Sequence, residues 1–288
     1  MFKKVKHSNG KREIYFGKKK IFQYLRQSQF ADFVESKINN NLVDSLSHTL
    51  ALETAKVAYD ANKFNVNGGG GSFYAFEFLL NRAYVAHKYH KIFYDFYLRS
   101  QKGEKLVFVD GGCHNGVFSD IALACGGICY AFEPNIYLCA FLRNLYKDNP
   151  NFILRQQAIS INNEKTIFYN ETYGENEQIV GAGSSIVKFS EKSPYTQNQG
   201  YEVQMIDFCE FIKRLLQKHG KINFIKLDIE GAEFDVLDSF IEQNLYENIE
   251  YVMVETHERI FDNPQEKINA LKAKIAEKNI SNIYLDWI

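Results

Sequence analysis

Apolar residues recur every fourth position from Phe30 through Val34, Ile38, Leu42 and Leu46 to Leu50. That spacing lays one apolar stripe along a helix, so 28–62 is expected to be helical. The run Gly68–Gly71 interrupts the pattern. Four successive glycines lose too much backbone entropy to be held in a helix or strand, so 65–72 reads as a loop or hinge. A second helix, dense in Phe and Tyr, is expected over 73–99. From Lys105 the pattern changes to short apolar runs alternating with helical stretches. Strands are expected at 106–110, 128–132, 152–159, 222–228, 251–255 and 283–288. Helices are expected near 116–125, 136–147, 207–218, 232–244 and 264–278, with Asp207 capping one and Pro264 opening another. The segment 164–206 reads as a strand-rich insertion, with short strands at 166–169, 185–189 and 201–205. Strands alternating with helices of this length imply a mostly parallel, twisted sheet covered on both faces. The expected organisation is a helical N-terminal extension or cap over 1–100 and a Rossmann-like α/β domain over 101–288.

Composition adds limits to this picture. The chain has 288 residues and is 45% apolar, enough for a sizeable core. No stretch approaches the roughly 20 apolar residues that a membrane helix needs. Met1–Lys20 is basic with no apolar run behind it, unlike a secretory signal. Five cysteines stand at 113, 125, 129, 139 and 209 without a C-x-x-C pair. That pattern fits reduced, core-filling thiols in the cytoplasm better than disulfides or a metal cluster. The formal charge of −1 hides an asymmetry, because 16 of the 34 Lys+Arg but only 8 of the 35 Asp+Glu fall in the first hundred residues. The surplus is densest at Lys3, Lys4, Lys6, Lys11, Arg12 and Lys18–Lys20. It reads as a solubilising N-terminus or as an attraction to an anionic partner such as a phosphate-bearing substrate. With no binding motif and a near-neutral isoelectric point, a nucleic-acid partner is not expected.

The chemistry gathers at strand ends. In an open α/β sheet, ligands bind outside the carboxyl ends of the strands, where the strand order reverses. Here the apolar runs end at Asp110, Glu133, Asp228 and Glu255-Thr256-His257. Carboxylates avoid burial unless paired, so four such endings on one rim point to a ligand site rather than to folding needs. The first turn, Asp110-Gly111-Gly112-Cys113-His114-Asn115-Gly116, lacks the G-x-G-x-x-G spacing that holds a pyrophosphate. An acidic residue ahead of the glycines suits a ligand carrying an ammonium group. S-adenosylmethionine has that group and no phosphate. Glu133, at the next strand end, can accept hydrogen bonds from both hydroxyls of a ribose.

On these segments the chain resembles the FkbM family of methyltransferases over residues 105–257. The matching stretches are Val109-Asp-Gly-Gly-Cys-His-Asn-Gly-Val117, Phe132-Glu-Pro-Asn135, Ile225-Lys-Leu-Asp-Ile-Glu-Gly-Ala-Glu233 and Val254-Glu-Thr-His257. The Lys-x-Asp-x-Glu-Gly-x-Glu run is the most specific of them. The resemblance implies a class I methyltransferase fold, S-adenosylmethionine as cofactor and, in many members, methylation of hydroxyls of sugars or natural products. It implies that Asp110, Gly112 and Gly116 line the methionine end, that Glu133 binds the ribose, and that Ala158 and Ile159 flank the adenine. Gly111, His114, Asn115 and Pro134 are assigned to the same cofactor site. At His114 the family usually has Asn.

Lys226 and Asp228 fall on one face of their strand, with Ile225, Leu227 and Ile229 on the other. A lysine in a buried strand needs an anion, which Asp228 or Glu255 can supply. Lys226, Glu230 and Glu255 are assigned to acceptor binding. His257 and Asp228 are assigned to catalysis, with His257 as general base because its intrinsic pKa of about 6.5 suits the task better than about 3.9 for aspartate. No ligand spacing demands a metal, so none is expected at Asp228, Glu230 and His257 or at His87 and His90. The expected acceptor is a small sugar or sugar nucleotide. Two alternatives are a nicotinamide-dependent sugar oxidoreductase or epimerase, disfavoured by the missing glycine spacing, and a non-catalytic carbohydrate-binding protein on the same fold.

Overall fold

The computed structural model describes the backbone at 2–6, 11–16 and 19–25 and the chain over 81–287, apart from 174–175, 178–182, 192, 194–195 and 199. Two compact units result, Met1–Asp95 and Phe96–Ile288. In the first, β1 (Phe2–Lys6), β2 (Lys11–Phe16) and β3 (Lys19–Leu25) form an antiparallel meander, with Phe2 opposite Phe16 and Lys11 opposite Leu25. Within the N-terminal extension expected to be helical, 2–6, 11–16 and 19–25 are therefore strands. Ile14, Tyr15, Phe16, Ile21, Phe22 and Tyr24 are β-branched or aromatic types that suit a pleated strand. Residues 81–88 and α1 (His90–Gln101) are helical, as expected for the later part of 73–99. The helix at 28–62 and the glycine loop at 65–72 lie outside the described residues.

The second unit is built on a six-stranded sheet in the order β15-β14-β13-β4-β5-β6. Its strands are β4 (Val107–Gly111), β5 (Ile128–Phe132), β6 (Phe152–Arg155), β13 (Ile222–Leu227), β14 (Ile249–Val254) and β15 (Ile283–Tyr284), and every neighbouring pair is parallel. The crossovers carry α2 (Val117–Ala124), α3 (Ile136–Leu145), α4 (Phe208–His219), α5 (Glu233–Glu242) and α6 (Pro264–Glu277). Asp207 caps α4 by accepting from the Glu210 N–H at 2.9 Å, and Pro264 opens α6. This is the mostly parallel α/β architecture read from the alternation of strands and helices.

The stretch 152–206 departs from expectation in three places. The run 152–159 is two strands. It leaves the main sheet after Arg155, where Gln156 and Gln157 offer no apolar side chain, and returns as β7 (Ala158–Ser160). There it joins β8 (Lys165–Phe168) and β12 (Tyr201–Asp207) in a separate sheet of order β7-β12-β8. A small third sheet joins β9 (Glu171–Tyr173), β10 (Asn176–Glu177) and β11 (Thr196–Gln197). The segment 185–189 is not a strand. It makes one antiparallel bridge, Ser185 with Tyr169, and then turns away as the Ser185 hydroxyl binds the Glu230 carbonyl and accepts from Val187 N–H.

One face of the main sheet packs Val107, Val109, Ile225, Leu227, Val252 and Val254 against Phe208, Phe211 and Ile212 of α4 and Val236, Leu237 and Phe240 of α5. The other face is aromatic. Phe108 and Phe224 meet Phe96, Phe118 and Trp287, with the Phe118 and Phe224 rings 4.9 Å apart. Side chains alternate along a strand, so the next positions on this aromatic face are Asp110 and Lys226, at the carboxyl ends of β4 and β13. No helix among the described residues is long and apolar enough to cross a membrane. All five cysteines are buried.

The amino ends of the strands are tied by ions. Arg99 clamps Glu104 through two hydrogen bonds of 2.8 Å and binds Glu250 at 2.6 and 3.0 Å, while Lys221 also holds Glu104. Hydrogen bonds from Arg99 and Lys221 lower the Glu104 pKa from 4.5 to about 2. A folded-state pKa below the unfolded one contributes stability that is present above the unfolded value and is lost as pH falls toward the folded one. Glu104→Gln should therefore melt below the wild type near neutral pH, with the gap shrinking between about pH 4.5 and about pH 2. A gap that stays constant with pH would contradict this assignment.

Candidate functional site

The strand order reverses between β4 and β13. From β4 the chain steps outward to β5 and β6, then crosses back to β13, β14 and β15. Such a switch point opens a crevice at the carboxyl ends of its two strands. Asp110 and Lys226 are paired in register there, as are Gly111 and Leu227.

The turn after β4 is pressed against the turn after β13. Gly112 has φ +73°, and a Cβ on it would lie 1.8 Å from the Asp228 carbonyl oxygen. A Cβ on Gly111 would meet Ile159 Cδ1 and Leu227 Cδ2, each at 2.8 Å. Glycine is required by both conformation and space at Gly112, whereas a Cβ on Gly111 would press mainly on the tips of two side chains. The N–H groups of Gly112 and Cys113 donate to the Phe132 carbonyl at 3.1 and 2.9 Å, tying the turn to β5. Gly116, with φ +90°, starts α2. His114 takes φ +46°, a conformation that Asn also tolerates.

Asp110 is fully buried beneath this turn. Its Oδ2 accepts from the Ser119 hydroxyl at 2.6 Å, and its Oδ1 lies 3.6 Å from Lys226 Nζ without a hydrogen-bond partner. Burial raises its pKa against the opposing pull of Lys226. In the fold it holds α2 through Ser119 and faces Lys226. Lys226 donates to the Gly112 carbonyl at 2.6 Å and pairs with Asp228 Oδ2 at 3.0 Å. Burial works to lower its pKa, but the Asp228 and Asp110 carboxylates outweigh that and raise it.

Glu133, at the end of β5, is buried, and burial pushes its carboxyl above the usual range. Its Oε2 accepts from the His114 N–H at 2.8 Å and its Oε1 from the Asn135 N–H at 2.9 Å. Each oxygen keeps a second lone pair, so the orientation is set while acceptor capacity remains. Pro134 leads into Asn135, whose side chain caps α3 by accepting from Tyr137 and Leu138 N–H. Ala158 and Ile159 are buried in β7, and Ile159 closes on Gly111. The expected cofactor residues Gly111, Gly112, His114, Glu133 and Ile159 thus belong to one contiguous structure. The backbone contacts that join them could not be read from sequence.

A second cluster forms where β13 and β14 end. His257 is fully buried. Its N–H donates to Glu233 Oε1 at 2.7 Å, and its Nδ1 lies 3.2 Å from the same oxygen. Its Nε2 faces Glu230 Oε1 at 3.3 Å, Glu255 Oε1 at 3.6 Å and Asp228 Oδ1 at 3.7 Å, and makes no hydrogen bond. Burial works to lower the histidine pKa, but the Glu230 and Glu233 carboxylates outweigh it and raise it to about 11. A ring that keeps its proton near neutral pH is poorly placed to accept another, which opposes the base role expected from its intrinsic pKa. Burial also raises Glu230 and Glu255. Glu233 was missed as a site residue. It closes the Lys-x-Asp-x-Glu-Gly-x-Glu run, and it also accepts from the Gly231 N–H at 2.7 Å.

Residues 110–279 match the family model of the methyltransferase FkbM domain, which covers more than half of the chain. No curated protein and no solved structure matches it.

Proposed function

The chain belongs to the FkbM methyltransferase family, and from that we propose that it transfers a methyl group from S-adenosylmethionine to a hydroxyl of a sugar or sugar nucleotide. The observation that carries the cofactor reading is Glu133, a buried carboxylate fixed by two backbone N–H groups beside a glycine turn that holds no pyrophosphate spacing. The Asp110–Gly116 turn would hold the methionine end of the cofactor, Glu133 the ribose, and Pro134, Ala158 and Ile159 the adenine. The acceptor lies toward Asp228, Glu230 and Glu255, with Lys226 holding Asp228 in place. Carboxylates that accept hydrogen bonds suit a substrate rich in hydroxyl donors.

In the reaction, an O–CH3 bond forms as the S–CH3 bond breaks. S-adenosylmethionine held there would supply the methyl from its sulfonium, with neutral S-adenosylhomocysteine as the leaving group, and a carboxylate of this cluster accepts the hydroxyl proton. What the protein supplies is alignment of oxygen, methyl carbon and sulfur, and a proton acceptor within reach. Asp228 positions the acceptor hydroxyl. His257 holds the carboxylates around it in place rather than taking the proton.

Incubating the full-length chain with S-adenosylmethionine and a panel of sugars and nucleotide sugars should give a product heavier by one CH2, with the new methyl on oxygen. A methyl group found on nitrogen, or transfer only to acceptors of another class, would overturn the sugar reading while leaving the methyltransferase.

A further inference from the structure

We infer that Asp228, Glu255 and His257 form a site for one divalent cation of the Mn2+ type, and that the acceptor's hydroxyl oxygens complete its coordination. The inference deepens the proposed acceptor site and rests on that reading for the identity of the remaining ligands. One imidazole nitrogen and two carboxylate oxygens from these residues lie within 4.8 Å of one another. Ligand atoms held about 2.1 Å from a divalent ion stand roughly 3–3.5 Å apart at adjacent positions. The gaps from His257 Nε2 to Glu255 and Asp228, 3.6 and 3.7 Å, need only a small contraction to reach that spacing.

Two further features distinguish this cluster from a merely acidic surface. The first is the histidine itself. Its Nε2 is fully buried, aimed among three carboxylates and without a hydrogen bond. A buried polar atom left in that state is costly unless something fills the space it faces. The second is Glu233 behind the ring. Metal-binding histidines characteristically donate their other ring N–H to a carboxylate, which fixes the tautomer and the ring orientation. Nδ1 stands 3.2 Å from Glu233 Oε1, so on binding the ion the ring releases its Nε2 proton to solvent, keeps the Nδ1 proton on Glu233 and turns the Nε2 lone pair into the cluster. Asp228 is divided in the same sense. Its Oδ2 is taken by Lys226, while Oδ1 faces the histidine.

Access fits as well. The side chains of Asp228 and Glu255 are 25% and 28% exposed, whereas that of His257 is 0% exposed. An ion would enter from the side on which the acceptor is proposed to lie, with the imidazole as the inner wall. One nitrogen with carboxylate oxygens, and room for hydroxyl or water oxygens, favours Mn2+ over a soft thiophilic ion. The residues come from the ends of two neighbouring strands, which explains why no ligand spacing in the sequence reveals them.

The test is a Mn2+ titration of the full-length chain, following the paramagnetic resonance signal of the free ion. One Mn2+ should bind per chain. Asp228→Asn and Glu255→Gln should each weaken it by at least about tenfold, the lower bound for losing even an outer-shell partner. Circular dichroism establishes that each variant is folded. Because a variant can fail to fold, the wild-type complex also provides a direct readout. Its pulsed spectrum should show the nitrogen coupling of one imidazole. No Mn2+ binding, binding without nitrogen coupling, or wild-type affinity in both folded variants would overturn the site. A chain that binds S-adenosylhomocysteine but not Mn2+ would lose the metal site alone and leave the methyltransferase reading standing.

Discussion

Replacing Gly112 with alanine is expected to abolish cofactor binding and to destabilise the fold by roughly 2–4 kcal/mol. Two separate costs combine. At φ +73° an L-residue is strained wherever it sits, and here the added Cβ would also fall 1.8 Å from the Asp228 carbonyl oxygen. The second contact is with backbone, so it is relieved only by parting the turns after β4 and β13. Parting them breaks the bond from Lys226 to the Gly112 carbonyl and moves the N–H groups that hold the turn to Phe132. Gly103 is the control. It has φ +88° with nothing within 4 Å of its would-be Cβ, so Gly103→Ala meets the conformational cost without the collision. The difference between the two variants isolates the close approach. Gly112→Ala with wild-type stability and wild-type affinity for S-adenosylhomocysteine would show that this turn is not pressed against Asp228 and does not form the cofactor site.

The second large effect is expected at Glu233. This side chain is fully buried and serves three donors, the Gly231 N–H, the His257 N–H and the His257 ring. Glu233→Ala leaves two buried backbone N–H groups unpaired and removes the anion behind the imidazole. Breaking a buried charge pair in this way costs about 3–5 kcal/mol. Glu233→Gln keeps one acceptor oxygen but turns an amide N–H toward a backbone N–H, so its loss should be intermediate. Urea denaturation of the three proteins measures both. A loss below about 1 kcal/mol for Glu233→Ala would mean that the carboxylate does not anchor the histidine.

Much of this site was legible in the strand endings. Asp110, Glu133, Asp228 and Glu255 end apolar runs, and a parallel sheet brings such endings to one rim; the register of Asp110 beside Lys226 follows from that. The alternation of Ile225 and Leu227 with Lys226 was likewise readable, because side-chain direction in a strand is local. What depends on turns was not. Glu230 takes φ +52° and Gly231 φ +106°, and these two residues decide that Glu230 and Glu233 converge on His257. From the sequence alone His257 keeps its intrinsic pKa and looks like a base. Three of the four carboxylates around the ring, Asp228, Glu230 and Glu233, come from the stretch between the end of β13 and the start of α5, far from His257 in sequence. The split of 152–159 escaped for a related reason, since β7 leaves the main sheet to pair with β12 some forty residues later. In 2–25 the dense lysines dominate the pattern and mask the aromatic and β-branched residues of the meander.

The decisive measurement is a calorimetric titration of the full-length chain with S-adenosylhomocysteine and, separately, with NAD, repeated on Glu133→Ala. One S-adenosylhomocysteine should bind per chain and NAD should not. Glu133→Ala should weaken the binding by at least about tenfold, since charge-assisted hydrogen bonds to the ribose are worth roughly 1.5–3 kcal/mol each. Binding of NAD without binding of S-adenosylhomocysteine, or a folded Glu133→Ala that binds S-adenosylhomocysteine like the wild type, would contradict the placement of the cofactor on the Asp110–Gly116 turn and Glu133.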